Sequence, residues 1–207
     1  MAEKSYVTYR LEGSDGSYIF LYPADWKTRA IAENGRREVF ITGPRNHAGT
    51  YSTSLAVAVT RSAASSPTEA AAELLARYRA AFNSQWTGPF ATTVAGLSAV
   101  EVEVAYAMPL PPNSIRPQWT EIRQRTVFFR RGGQLYELHY AAPAEDYPTW
   151  LPAFRTLAQS FAFEIETVRP ALRPPVAVPA FPQVREGAAE YRAEDSLPDE
   201  QSEQHVS

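Results

Sequence analysis

Two β-rich runs, residues 120–130 and 134–141, flank Arg131-Gly132-Gly133-Gln134, and this stretch restricts the fold more than any other in the chain. Gly-Gly between such runs signals a two-residue hairpin turn. With Arg131 facing Gln134, Phe129 faces Tyr136 and Val127 faces Leu138 on one side, while Phe128 faces Glu137 on the other. Successive side chains of a strand point to opposite faces, so both faces of this pair carry large apolar groups. Such a sheet needs a cover on each side. The expected class is α+β, an α/β/α sandwich around a central, mostly antiparallel sheet.

The sequence offers two helices as covers. Ser66-Pro67-Thr68-Glu69 places a capping Ser, a Pro at the first helical position and a Glu at the third. The body is expected to run to about residue 84, with Leu74, Tyr78 and Phe82 repeating every fourth residue beside Ala71 and Leu75. The second helix carries Tyr147, Trp150, Leu151, Phe154, Leu157, Ala158 and Phe161 at helical spacing. A Pro inside a helix costs about 3 kcal/mol, which places the start at Thr149, with Pro152 in the first turn.

The remaining strands are read from alternation and turn residues. Residues 7–11 and 18–22 flank Gly13-Ser14-Asp15-Gly16 as a hairpin, and Pro23 ends the second of these. Strands are expected at 38–42, 54–60, 90–94 after the breaker Thr87-Gly88-Pro89, 98–107 and 161–165. In 98–107, Val100, Val102, Val104 and Tyr106 alternate with Glu101 and Glu103; one register opposes these to Arg125 and Arg123, although the twelve-residue connection does not fix the offset. Residues 108–119, with four prolines, read as a long connection.

Beyond Thr167 the chemistry changes. Residues 169–184 hold five prolines, and residues 185–207 are charged and poor in large apolar groups. The expected organisation is a globular domain over 1–167 and a disordered, Pro-rich acidic tail over 168–207. The tail carries seven acids against four bases, which leaves sixteen of each sign in the domain out of 23 acidic and 20 basic residues. A domain without excess positive charge has little with which to displace phosphate counterions, so nucleic acid is not expected as a partner. With no Cys there is neither a disulfide framework nor a thiolate metal site. No apolar run approaches the length of a membrane span, and the first ten residues lack a basic start and an apolar stretch. As written, the chain is expected to be cytoplasmic; a secreted form whose leader had been removed would read the same way.

Ser17-Tyr18-Ile19-Phe20-Leu21-Tyr22-Pro23-Ala24-Asp25-Trp26 resembles the opening of the PsbP family, in which a strand ends in Pro and a Trp comes closely after it. The helix over 70–82, the Arg131-Gly132-Gly133-Gln134-Leu135-Tyr136 hairpin and the final helix ending in Ser160-Phe161 are similar in order and spacing. The resemblance covers roughly residues 6–166. It implies an α/β/α sandwich around an antiparallel sheet, a fold used for docking on other macromolecules: the extrinsic photosystem II subunit and a Ran-binding nuclear transport factor share it. No functional residue is carried over, because fold does not transfer function.

Reactive constellations are sparse. His139 falls in a strand and reads as structural; His47 lies in the loop Gly43-Pro44-Arg45-Asn46-His47-Ala48-Gly49, without a nucleophile motif beside it. Glu101 and Glu103 share a strand face, a pattern that fits a cross-strand ion pair before it fits paired catalytic carboxylates. No His pair has metal-ligand spacing, and no cofactor is implied. Two Pro-stiffened segments present apolar groups, Leu110, Ile115 and Trp119 in one and Pro179 and Phe181 in the other, and these form the candidate interaction surface. The expected function is a non-catalytic protein-interaction or assembly module whose partner is a protein of unknown identity. The alternatives are a small-ligand carrier with a pocket between layers and an enzyme using Glu101, Glu103 or His47.

Overall fold

The turn at Gly132-Gly133 closes as expected. In the computed structural model, which describes residues 5–12, 16–61 and 66–164, Arg131 faces Gln134, Phe129 faces Tyr136, Val127 faces Leu138 and Phe128 faces Glu137. In chain order the elements are β1 (Tyr6–Leu11), β2 (Tyr18–Pro23), β3 (Lys27–Glu33), β4 (Arg36–Arg45), β5 (Ser52–Arg61), α1 (Pro67–Tyr78), β6 (Gln85–Val94), β7 (Leu97–Leu110), β8 (Gln118–Arg131), β9 (Gln134–Pro143), α2 (Tyr147–Ser160) and β10 (Ala162–Phe163). Seven strands form one antiparallel sheet in the order β3-β4-β5-β9-β8-β7-β6, and β1, β2 and β10 form a smaller one.

Strand parity assigns the two faces of the large sheet. Val39, Ile41, Leu55, Val57, Val59, Val127, Phe129, Tyr136, Leu138 and Tyr140 share the front face and are buried with Tyr18 and Phe20 of β2 and Ala153, Phe154 and Leu157 of α2. On the back, Ala70, Ala71 and Leu74 of α1 pack on Val102 and Phe128. The α/β/α arrangement therefore stands, with one addition. The front cover is α2 together with the three-stranded sheet, so the first hairpin belongs to an outer layer.

Local choices explain most of the elements. Ser66 accepts from the Glu69 backbone N–H at 3.1 Å, and the Glu69 carboxylate accepts from the Ser66 N–H at 2.7 Å, which completes the expected capping box. Asn34 and Gly35 both have positive φ, 49° and 76°, as a tight two-residue hairpin requires, and this turn joins β3 to β4. Gly43 admits the Trp26 ring, since a Cβ there would lie 2.6 Å from ring carbons.

Five expectations are corrected. Strand β3 was not anticipated: it is an edge strand, largely exposed, with Ile31 as its one large apolar residue. Helix α1 ends at Tyr78 rather than near 84, because the chain turns there to feed the sheet edge, where the Ala107 N–H donates to the Phe82 carbonyl at 2.9 Å. Gly88-Pro89 does not break β6, which passes through with a register shift between Thr87 and Phe90; β6 is an edge strand, where a missing N–H is tolerated. The connection expected over 108–119 shrinks to residues 111–117, since β7 runs to Leu110 and pairs there with Gln118. Helix α2 begins at Tyr147, so Pro152 lies inside it. Burial of Tyr147, whose ring stacks on Tyr140 at 4.7 Å, offsets the lost hydrogen bond. Of the closing strand, Ala162 and Phe163 pair with β2; Ile165 and the tail 168–207 lie outside the described residues. Among the described residues, no helix is long and apolar enough to cross a membrane.

Candidate functional site

Helix α2 and the small sheet cover β4, β5, β9 and part of β8, and the front face continues past them as a charged surface built by β7 and β8. The alternation of β7 brings Glu101 and Glu103 to this face, and β8 brings Arg123 and Arg125. Glu103 lies opposite Arg125 and Glu101 opposite Val127, two residues from the register that opposes Glu101 to Arg125, yet the same four groups meet diagonally. Arg125 reaches Glu103 at 2.8 Å and Glu101 at 3.4 Å, and Arg123 also binds the Glu103 carboxylate. The Tyr147 hydroxyl donates to Glu103 at 3.0 Å, and the Arg123 guanidinium lies 4.5 Å over the Tyr147 ring.

Burial pushes the Glu103 carboxyl up, and hydrogen bonds from Arg125, Arg123 and Tyr147 more than offset it, so its pKa lies below the ordinary carboxylate value. An ionised carboxylate whose two oxygens are occupied by two guanidinium groups and a phenol is a poor proton acceptor. The ladder is an ion-pair network that holds β7, β8 and α2 together. A hollow of about 220 Å³ beside it is bounded by Gln85, Thr87, Glu103, Glu121 and Arg123.

Exposed large apolar side chains lie along the β6 edge, Phe90 among them, and at the end of the sheet where β7 turns into β8. Phe82 is 55% exposed, Trp86 44%, Ile115 99% and Trp119 59%. The rings of Phe82 and Trp119 contact each other at 4.7 Å between centroids, whereas the strand register puts Trp86, opposite Val104, on the other face of the sheet from Trp119, opposite Pro109. Of the surface residues named from sequence, Ile115 and Trp119 lie on this corner. Leu110 does not: it is buried with Ile122 and Ala141. Pro179 and Phe181 lie outside the described residues. Phe82 and Trp86 were not anticipated as surface groups. Phe82 continues a helical stripe that reads as core-facing, and Trp86 precedes what reads as a break.

The back face carries a chain of polar groups beneath α1. The Tyr78 hydroxyl donates to Gln124 Oε1 at 2.6 Å, Gln124 Nε2 donates to Thr126 Oγ1 at 3.2 Å, and Thr126 Oγ1 lies 3.4 Å from His139 Nδ1. Burial pushes the His139 imidazole down to about 4, with Glu38 opposing and Arg36 reinforcing that effect. His139 is thus a neutral member of a packed network. His47 is exposed on its loop, whose turn is built by Asn46: Oδ1 accepts from the backbone N–H of Thr50 at 2.8 Å and of Tyr51 at 3.0 Å. The structure does not bring His47 to the Glu101–Glu103 ladder. Among the described residues, no group of three or more His, Asp or Glu side chains is placed to hold a metal ion.

No family model and no curated protein sequence matches this chain. Solved structures do show a likeness. The cyanobacterial PsbP of Synechocystis shares 14% identity at a TM-score of 0.48, over 79% of this chain and 96% of that one. A Pseudomonas aeruginosa protein of unknown function shares 14% identity at a TM-score of 0.46, over 72% and 91% respectively. LpqN of Mycobacterium tuberculosis, described as involved in cell envelope biogenesis, shares 15% identity at 0.44, over 77% and 92%. A PsbP structure is among those to which this chain is similar.

Proposed function

We propose that this chain is a non-catalytic protein-interaction module and that it docks its partner on the aromatic corner formed by Phe82 and Trp119, with Ile115 on the adjoining 111–117 loop. One observation carries the reading: the rings of Phe82 and Trp119 are each more than half exposed and lie in contact with each other at one end of the sheet. Large exposed apolar patches mark interaction surfaces, and aromatic residues anchor interfaces because each buries a large area at small entropic cost. The ladder beside the corner supports the reading. Its charges are bound to one another, so it supplies a rigid polar border and leaves Glu103 unsuited to proton transfer.

Cross-linking capture with the full chain tests this. A protein captured by the wild type is expected to be lost with Phe82→Ser/Trp119→Ser and retained with Arg29→Ala, a change on the distant edge strand β3. Equal capture by the aromatic variant and the wild type, with both folded by circular dichroism, would overturn the assignment of the corner.

A further inference from the structure

At the opposite end of the large sheet the half-buried arginines are unequal. Arg36 is paired with Glu137 at 3.1 Å and Glu38 at 3.4 Å, and Arg123 and Arg125 sit in the ladder. Arg37 has no such answer. Its Nη1 donates to the Glu12 carbonyl at 2.9 Å, and among the described residues it meets no carboxylate within ion-pair distance. A guanidinium has five N–H donors, so among the described residues most of its capacity is unused. Half-buried charges are ordinarily paired, and this one faces a hollow of about 350 Å³.

The hollow has the make-up of a binding site. Arg36, Arg37 and Arg61 line it together with Val59 and with Gln134, which is 3% exposed and accepts a hydrogen bond from the Tyr136 hydroxyl at 3.0 Å. Glu33 lies on its exposed rim. A second hollow of about 130 Å³ shares Arg37 and Ala32 with the first and is bounded by Leu11, Ala30 and Ile31, with Glu38 at its margin already engaged by Arg36. Among the described residues, Arg37 thus stands without a carboxylate partner where two mainly apolar hollows meet.

We propose that this pair of hollows binds an organic monocarboxylate, with Arg37 holding the carboxylate and Leu11, Ala30 and Ala32, which share its side of the sheet, receiving the apolar part. A monoanion matches the charge of Arg37, and the planar fork of Arg fits a carboxylate in two-point contact. An inorganic phosphate offers no group for the apolar hollow. The site is remote from the aromatic corner and independent of its role. The carboxylate comes from a free acid or from the C-terminus of a polypeptide, and both present the same chemistry to Arg37.

NMR titration of the full chain tests the site, following the arginine Nε–Hε and Gln134 side-chain amide signals. Hexanoate is expected to shift the Arg37 and Gln134 signals saturably, and hexanol and inorganic phosphate are not. Arg37→Gln should weaken hexanoate binding at least about tenfold, since a charge-assisted hydrogen bond is lost, with Arg37→Lys intermediate. Arg116→Gln, on the remote 111–117 loop, should bind as the wild type. Tighter binding of N-acetyl-Ala-Ala-Leu than of hexanoate assigns the site to a polypeptide terminus, and the reverse order assigns it to a free acid. Absence of saturable shifts with both probes, or equal affinity in a folded Arg37→Gln variant, would overturn the proposal.

Discussion

Replacing His139 with Gln should remove most of the pH dependence of stability between pH 7.5 and 5. The imidazole lies on the back face of β9, 3.4 Å from Thr126 Oγ1, with Arg36 and Glu38 in electrostatic reach. Burial lowers its folded-state pKa from an ordinary 6.5 to about 4. The sign comes from proton counting. Between these two values the unfolded chain holds a proton on this residue and the folded chain does not, so stability rises with pH. The contribution is whole above pH 6.5 and is lost as the pH falls toward 4. A tenfold change in proton affinity corresponds to about 1.4 kcal/mol, giving about 3 kcal/mol in all and about 2 kcal/mol by pH 5, before most carboxylates titrate. Urea unfolding monitored by tryptophan fluorescence at pH 7.5, 6.5, 5.5 and 5 reads this directly. The wild type should lose about 2 kcal/mol across the series and His139→Gln less than about 0.5 kcal/mol from this source. Parallel curves for the two proteins would refute the claim that His139 is held neutral by burial.

Two further substitutions probe packing and the charged face. Gly43→Ala drives a Cβ into the Trp26 ring and should cost about 1–3 kcal/mol with a changed near-ultraviolet dichroism, whereas an unchanged urea midpoint would show that the ring moves freely. Glu103→Ala leaves Arg123, Arg125 and the Tyr147 hydroxyl without their shared acceptor, and a loss of about 2 kcal/mol at pH 7 is expected, between the values for exposed and buried pairs. Because the Glu103 pKa is depressed, the wild type loses that advantage as the pH falls through the folded value, and the two proteins should converge in acid.

What could be read from the chain was what local chemistry decides. The Gly132-Gly133 turn fixes its neighbours within two residues, so the register from Arg131 to Leu138 and the burial of both faces were legible in the sequence. The Ser66 capping box is equally local. The β7–β8 register was less accessible because residues 111–117 between the strands do not set an offset, and Glu101 lies opposite Val127, two positions from Arg125. Strand β3 escaped notice because an exposed edge has little apolar signal, although Asn34-Gly35 was the turn that would have revealed it. Pro152 misplaced the start of α2 because a local penalty competes with the burial of Tyr147, and only the tertiary structure decides between them. The same limit applied to the surface. Whether Phe82 covers the sheet or faces water depends on where α1 stops, and whether Leu110 is exposed depends on how far β7 extends.

Exposure of the aromatic corner underlies the functional account, and hydroxyl-radical footprinting of the isolated full chain measures it most directly. Phe82, Trp86 and Trp119 should be oxidised readily, while Trp26, Phe129 and Phe154 are protected in the folded protein and become reactive on unfolding. Protection of Phe82 and Trp119 equal to that of Trp26 would mean that the corner is covered and would contradict a docking role for it.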